Sequence, residues 1–499
     1  MSLIMTVSGI RGIVGETMTP AVAGDVGYAW AVHLAGGTVV VGRDSRESGP
    51  ALQAALTAGL LAGGCEVVDL GVVSTPGVGV MVGRHGAAGG VVITASHNPG
   101  DWNGIKFITA AGHAPAHDDV QPIFDIYRAG RSAPAPAPAP AGQSAHRGRR
   151  KAEGGRRKAE GASPLGVGAG TARGSVTRDG STDEHHVARV LAVVDRDVIA
   201  ARRFRVVLDS NHGAGGSAGR RLLESLGCDV IHLHAEPTGR FAHPPEPLGD
   251  HLVEMCGRTR DGGAAVGFAQ DPDADRLAIA DETGTYIGEE YSLALAARAV
   301  FARRPGPAAT NLSTSRLIDD VAARAGDPCA VHRTPTGEAN VVTAMKRHDC
   351  VIGGEGNGGV IDPRVVYIRD SLVAMAWTLQ LLADEGRPLS EIVAEMPAYS
   401  MVKTKFACSA DRAAIVLAAV ADAFRDESQR AAVRVEPAVR VEPAVRVDDT
   451  DGLRIDWPDG WVQIRRSNTE PIVRIIAEAR TDAAAAELVA RIRTVADRA

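Results

Sequence analysis

Around one polar turn the chain gathers a hydroxyl, an imidazole and, ten residues on, an amine: Ser96, His97 and Lys106. A serine hydroxyl is a weak nucleophile unless a base, a cation or a metal assists it. The β-branched run at 91–93 predicts a buried strand. Asn98 and Pro99 stop it, so Ser96 falls on a loop at a strand end, where α/β sheets often carry reacting groups. Taken alone, the Ser-His-Asn-Pro run is equally well an ordinary turn with a solvated histidine.

Three further stretches carry chemistry. Asp271, Asp273 and Asp275 alternate, so extended or looped backbone can turn all three carboxylates onto one cation, and hard oxygen ligands suit Mg²⁺. A calcium loop of the EF-hand type would place Glu282 at its twelfth position, but it needs glycine at its sixth, where Arg276 stands. Its flanks, 265–268 and 277–280, also read as strands and not helices. Glu355 and Asn357 sit among five glycines between 353 and 359. Glycine allows close backbone approach, while a carboxylate and an amide can pair with vicinal sugar hydroxyls; an isolated loop of this kind is most often only a turn. Arg465, Ser467, Asn468, Thr469 and Arg474 bring guanidiniums, hydroxyls and an amide into one short stretch, enough to enclose a phosphate dianion. A solvated basic turn is the plainer alternative.

The four stretches, in this order, resemble the signature loops of the α-D-phosphohexomutases: phosphoglucomutase, phosphomannomutase and phosphoglucosamine mutase. The resemblance begins at the Ser-Gly-Ile-Arg-Gly run of 8–12 and extends almost to the C-terminus. It implies that Ser96 carries the transferred phosphoryl group and completes the Mg²⁺ coordination of Asp271, Asp273 and Asp275. It implies further that Arg11 and Arg276 neutralise the reacting phosphate, and that Lys106, assisted by His97, serves as general acid/base. Gly337, Glu355 and Asn357 would hold the sugar, and Arg465, Ser467, Asn468, Thr469 and Arg474 the phosphate that is not reacting. The expected reaction interconverts hexose 6-phosphate and hexose 1-phosphate through a bound hexose 1,6-bisphosphate, with the last domain hinging to admit both orientations. Asn357, Gly359 and Glu338 depart from the glucose/mannose pattern, where serine, histidine and histidine are common, and lean toward the phosphoglucosamine mutase side. Arg466 replaces the family's usual proline or alanine, a change expected to alter loop stiffness more than the ligand set. A sugar-phosphate phosphatase on the same metal loop and a non-catalytic scaffold are the rival readings.

The elements that must position these loops follow from alternating patterns. Thr19 and Pro20 start a helix that runs to Leu34, 39–41 reads as a strand, 52–61 as a helix and 66–69 as a strand. Such alternation implies parallel sheets with crossover helices. The fold class expected is α/β, with three mixed-sheet domains and a C-terminal α+β domain around a central cleft. The bounds are 1–130 for the serine loop, 185–285 for the metal loop, 286–397 for the sugar loop and 398–499 for the phosphate loop. Between the first two, 131–184 holds an Ala-Pro tract and a perfect tandem copy of Gly-Arg-Arg-Lys-Ala-Glu-Gly. With almost no large apolar residues, it is expected to be disordered. A second tandem repeat, at about 434–447, has proline every sixth residue and reads as a surface loop. Asp370 is placed as the cap of a helix at 371–385.

Composition bounds the rest. The 499 residues are 45% hydrophobic with a net charge of −6, and the basic residues are not gathered on one face, which argues against nucleic acid as a specific partner. Six scattered cysteines without a Cys-x-x-Cys pair are expected to be free thiols. No leader pattern precedes Arg11 and no run approaches the ~18 apolar residues of a membrane helix. A cytoplasmic monomer or homodimer acting on a small hexose phosphate, away from membranes, is the expectation.

Overall fold

The computed structural model describes residues 3–132, 174–432, 445–467 and 472–499. Four sheets follow one another along the chain. The first has seven strands in the order Ile4–Thr6, Gly9–Ile13, Trp102–Thr109, Gly89–Ile93, Gly37–Arg43, Cys65–Val72 and Val176–Arg178. Its middle is parallel, as the crossover helices require, while Trp102–Thr109 returns antiparallel to Gly89–Ile93. That hairpin brings Lys106 back beside the end of the strand that feeds Ser96.

The second sheet orders Leu277–Asp281, Val266–Gln270, Arg205–Asp209 and Asp229–Leu233; the third, Val331–Thr334, Ala308–Asn311, Ile352–Glu355 and Gly359–Ile361. Each is parallel except for one antiparallel edge strand, and in both the chemistry-bearing loop is the turn into that edge strand. The strands flanking the aspartates rule out an EF-hand here. The fourth sheet is antiparallel throughout: Ser400–Ala407, Ile472–Ala479, Gly460–Arg466, Leu453–Trp457 and Arg446–Asp448.

Local chemistry accounts for the helix ends. Thr19 Oγ1 accepts from Val22 N at the start of Pro20–Leu34, a cap worth about 1 kcal/mol. Asp370 caps Ser371–Glu385 through Leu372 N, where the sequence places it. This helix is buried from Ser371 to Ala383, and its apolar surface joins a core that runs through residues of the first three sheets. Helices Pro20–Leu34 and Gly49–Ala62 cross so closely that a Cβ on Gly59 would stand 2.0 Å from the Gly24 carbonyl oxygen. All six cysteines are unpaired. No helix among the described residues is long and apolar enough to cross a membrane.

The expectation of an unstructured segment from 131 to 184 fails at both ends. Helix His117–Ser132 runs into it, and Val176–Arg178 pairs with Cys65–Val72 as the seventh strand. Helix Thr182–Leu191 then starts inside the expected gap. Three strand residues supply backbone hydrogen bonds to an open sheet edge without needing large apolar side chains, which is why composition does not report them. Residues 133–173, with the first repeat, lie outside the described residues. So do 433–444, which hold most of the second; its end, Arg446–Asp448, forms an edge strand, where proline nearby is tolerated.

Candidate active site

Ser96 takes a left-handed backbone conformation, φ 51°, which is costly for a residue other than glycine and is held here by its neighbours. Its N–H donates to Thr94 Oγ1 at 2.8 Å. Arg46, fully buried and paired with Asp44 at 3.0 Å, donates to the carbonyls of Ser96 and Asn98 at 2.6 Å each and to that of Pro99 at 2.6 Å. Arg46 therefore moulds the loop from behind without facing a reactant.

The aspartate loop meets this serine. Ser96 Oγ donates to Asp271 Oδ2 at 3.0 Å, and His97 Nδ1 lies 3.4 Å from the same hydroxyl. Asp271, Asp273 and Asp275 are buried, with one oxygen from each within 4.8 Å of the others. Lys106 Nζ bridges Asp273 Oδ2 at 2.6 Å and Asp275 Oδ2 at 3.1 Å. Thr75, at the start of helix Thr75–His85, donates its hydroxyl to Asp273 Oδ2 at 2.6 Å and its N–H to the Asp273 carbonyl at 2.9 Å. Arg11 donates to Asn98 Oδ1 at 3.0 Å.

The electrostatics follow from burial. Desolvation raises Asp271 well above the usual carboxylate range, with Asp275 and Asp273 adding to it. Burial also works to raise Asp275, yet Arg369, then Lys106 and Arg276, hold it well below that range. Burial pushes His97 down to about 2, helped by Arg276 and Arg11, so its imidazole is neutral. Burial lowers Lys106, but Asp273 and Asp275 outweigh that and leave it raised. The set fits a divalent cation: Asp273 Oδ1 and Asp275 Oδ1 are buried with no hydrogen-bond partner, an expensive state for carboxylate oxygens unless a cation takes them. Arg276 Nε is buried and unpartnered as well, 3.8 Å from Asp275, so its guanidinium has donor capacity left for an anion.

The third sheet joins through a residue that sequence reasoning passed over. Arg369 reaches Asp275 at 2.8 Å, Glu355 at 2.7 Å and Glu338 at 2.9 Å, and lies 3.5 Å from Asn357 Oδ1. Glu355 also accepts from Asn311 at 2.7 Å and from Gly337 N at 3.1 Å. Gly337, Glu355 and Asn357 are thus brought together and tied to the metal loop by one guanidinium. Arg369 belongs to no motif; the only signal for it is that Asp275 and two nearby glutamates need a counter-charge.

In the last domain, Arg465 and Arg474 stand directly opposite each other on neighbouring strands, hence on one face. Arg465 Nε is buried without a hydrogen-bond partner among the described residues, and Ser467 N donates to the Ile472 carbonyl at 2.9 Å. Asn468 and Thr469 lie outside the described residues. Arg466, expected to alter loop stiffness more than the ligand set, lines a cavity of about 540 Å³ with Arg11, Lys106, Gly337, Glu338 and Arg369. The cavity is where the first, third and fourth sheets' loops converge.

Family models for phosphoglucomutase/phosphomannomutase match this chain four times: α/β/α domain I over 3–133, domain II over 184–284, domain III over 289–399 and the C-terminal domain over 409–495. The chain belongs to this family. It is a phosphohexomutase, an isomerase by reaction class. It is 36% identical over 483 residues to a "probable phosphoglucosamine mutase" of Methanopyrus kandleri, covering 96% of this chain and 95% of that one. It is 34% identical over 486 residues to a "phosphoglucomutase/phosphomannomutase" of Thermococcus kodakarensis, covering 96% and 95%. Among solved structures, a phosphoglucomutase/phosphomannomutase family protein of Burkholderia thailandensis superposes with a TM-score of 0.76 at 26% identity, over 99% of this chain and 96% of that one.

Proposed function

We propose that this phosphohexomutase works through a phosphoserine at Ser96 and that its preferred substrate is a glucosamine phosphate. The observation that carries the mechanism is the hydroxyl of Ser96 3.0 Å from Asp271, inside a pocket of three buried carboxylates and a lysine. Phosphoryl transfer needs alignment and charge neutralisation more than covalent help. Mg²⁺ held by Asp271, Asp273, Asp275 and Ser96 would supply neutralisation of the phosphoryl oxygens. Arg276 and Arg11 add cationic donors at the same place. In the first transfer the bond from phosphorus to Ser96 Oγ breaks, a bond to a sugar hydroxyl oxygen forms, and the hydroxyl proton leaves to Lys106. Asp273 and Asp275, which pair with Lys106 at 2.6 and 3.1 Å, would also be ligands of the cation; shared with it, they would hold the Lys106 proton less firmly, and Lys106 would serve as the general acid/base for that hydroxyl. His97, neutral and with Nδ1 3.4 Å from Oγ, borders the hydroxyl, whose one hydrogen goes to Asp271, and would assist Lys106 without being an acid itself.

The bound 1,6-bisphosphate then reorients and its other phosphate returns to Ser96. The Arg465, Ser467, Asn468, Thr469 and Arg474 stretch holds the phosphate at rest, with Gly337, Glu355 and Asn357 at the sugar. The glucosamine preference is supported by Glu338 and Asn357 and by the name of the Methanopyrus relative; the Thermococcus relative's name favours glucose or mannose. One coupled assay across glucosamine, glucose and mannose phosphates decides between them by kcat/KM. The serine role is tested by Ser96→Ala with hexose 1,6-bisphosphate supplied: turnover is expected to vanish, and near-wild-type turnover would eliminate the covalent step.

A further inference from the structure

A second group of ligating side chains stands one strand away from the aspartate trio. Asp209 ends the strand Arg205–Asp209, His234 directly follows the neighbouring strand Asp229–Leu233, and His243 returns on the segment after it. Asp209 Oδ1 lies 3.0 Å from His234 Nδ1, and Asp209 Oδ2 lies 3.3 Å from His243 Nε2. One ligand atom from each residue falls within 4.8 Å of the others. Around a tetrahedral ion with bonds of about 2.0–2.2 Å, adjacent ligand atoms stand roughly 3.3–3.6 Å apart.

The hydrogen bonds say where the lone pairs are. His243 Nδ1 is 2.9 Å from the Pro244 carbonyl oxygen, which only accepts, so Nδ1 carries the hydrogen. Burial lowers His243, but Asp209 outweighs it and leaves the imidazole raised, so Nε2, 3.3 Å from Asp209 Oδ2, is a site for positive charge, either a proton or, on the lone pair of the neutral ring, a metal ion. Both atoms are buried and neither has a hydrogen-bond partner, although Asp209 is only 1% exposed. Two acceptors so placed call for positive charge between them. His234 turns Nδ1 to Asp209 while its Nε2 lies 3.6 Å from the Glu254 carboxylate. A metal-bound imidazole commonly has its second nitrogen held by a carboxylate or a carbonyl; His243 shows that arrangement through Pro244, and His234 has the Glu254 carboxylate near its second nitrogen, beyond hydrogen-bond distance.

We propose that Asp209, His234 and His243 form a second metal site that takes a first-row transition ion of the Zn²⁺ type. Imidazole nitrogen suits zinc, nickel and copper, whereas Mg²⁺ prefers the all-oxygen trio. The ion would staple two strand ends to the segment 235–247. Asn211 also holds that segment, accepting from Ala242 N at 2.8 Å and donating to the His243 carbonyl at 3.1 Å. Phe241 on it packs under the Arg46 guanidinium at 4.9 Å, and Arg46 holds the Ser96 carbonyl. The site therefore orders the support of the serine loop and takes no part in phosphoryl transfer.

The test is calorimetric titration of the full chain with Zn²⁺ in excess Mg²⁺, with Co²⁺ absorption as an independent readout. One Zn²⁺ per chain is expected, weakened by at least about 100-fold in His234→Ala or His243→Ala and unchanged in Asp273→Asn. Co²⁺ on the unmodified chain should give the visible bands of a nitrogen-ligated ion, lost on adding Zn²⁺; this readout depends on no variant folding. No uptake of Zn²⁺ in excess Mg²⁺ would overturn the site and leave Asp209 and His243 as an imidazolium–carboxylate pair. Uptake that survives both histidine variants, or that disappears in Asp273→Asn, would overturn it too.

Discussion

Removing Arg369 should cost this protein both stability and activity, and the size of the loss follows from what it touches. The guanidinium is half-enclosed by three carboxylates, Asp275, Glu355 and Glu338, at 2.7–2.9 Å, and all four side chains are no more than 16% exposed. Truncating one partner of a buried pair typically costs about 3–5 kcal/mol, because the charge left behind has neither water nor a counter-ion. Arg369→Ala leaves three such charges near one another, so a loss at the upper end of that range is expected. Arg369→Lys keeps the charge but cannot span three acceptors in a fork, so it should fall between. Adding Glu338→Gln to Arg369→Ala removes one of the repelling carboxylates and should recover at least about 1 kcal/mol, a coupling that independent sites would not show. Urea unfolding followed by tryptophan fluorescence measures the stability, and kcat/KM on the preferred hexose phosphate measures the site. If Arg369→Ala shifts the urea midpoint by an amount worth under about 1 kcal/mol, the three contacts are surface-like and the reasoning from burial fails. If stability falls but kcat/KM does not, Arg369 braces the fold without positioning the trio.

Arg466→Ala should raise KM about 10-fold with a smaller change in kcat, since one charge-assisted hydrogen bond is worth roughly 1.5–3 kcal/mol; an unchanged KM would remove Arg466 from the substrate's reach. Burial raises Glu290 to about 8 from an ordinary 4.5, so the folded state holds its proton over a window in which the unfolded state has released it. Stability should therefore fall as pH rises from 4.5 to about 8. Glu290→Gln should flatten that part of a Tm-against-pH curve, and a slope identical to wild type would refute it. Gly59→Ala forces a Cβ within 2.0 Å of the Gly24 carbonyl oxygen and should destabilise by about 1–3 kcal/mol through overpacking, read as a lowered Tm; an unchanged Tm would mean the helix pair can separate without cost.

Sequence alone determined those parts of the site that are short and local. Ser96 sits at a strand end because three β-branched residues precede it and Asn-Pro follows, and the alternation of Asp271, Asp273 and Asp275 by itself puts three carboxylates on one loop. The cap at Asp370 and the buried helix behind it were legible for the same reason: capping and periodicity are properties of neighbours in sequence. Tertiary structure decided which distant groups complete the site. Arg369 is 94 residues from Asp275, Thr75 is 198 from Asp273, and Arg46 is 50 from Ser96. The strand Val176–Arg178 was settled in the same way, by pairing with Cys65–Val72, and so was the grouping of Asp209, His234 and His243, by the pairing of Arg205–Asp209 with Asp229–Leu233 and the return of the segment after it. A buried charge is obliged to find its partner, but the obligation is met through space, and nothing in the local pattern of a chain records where in the sequence that partner will be.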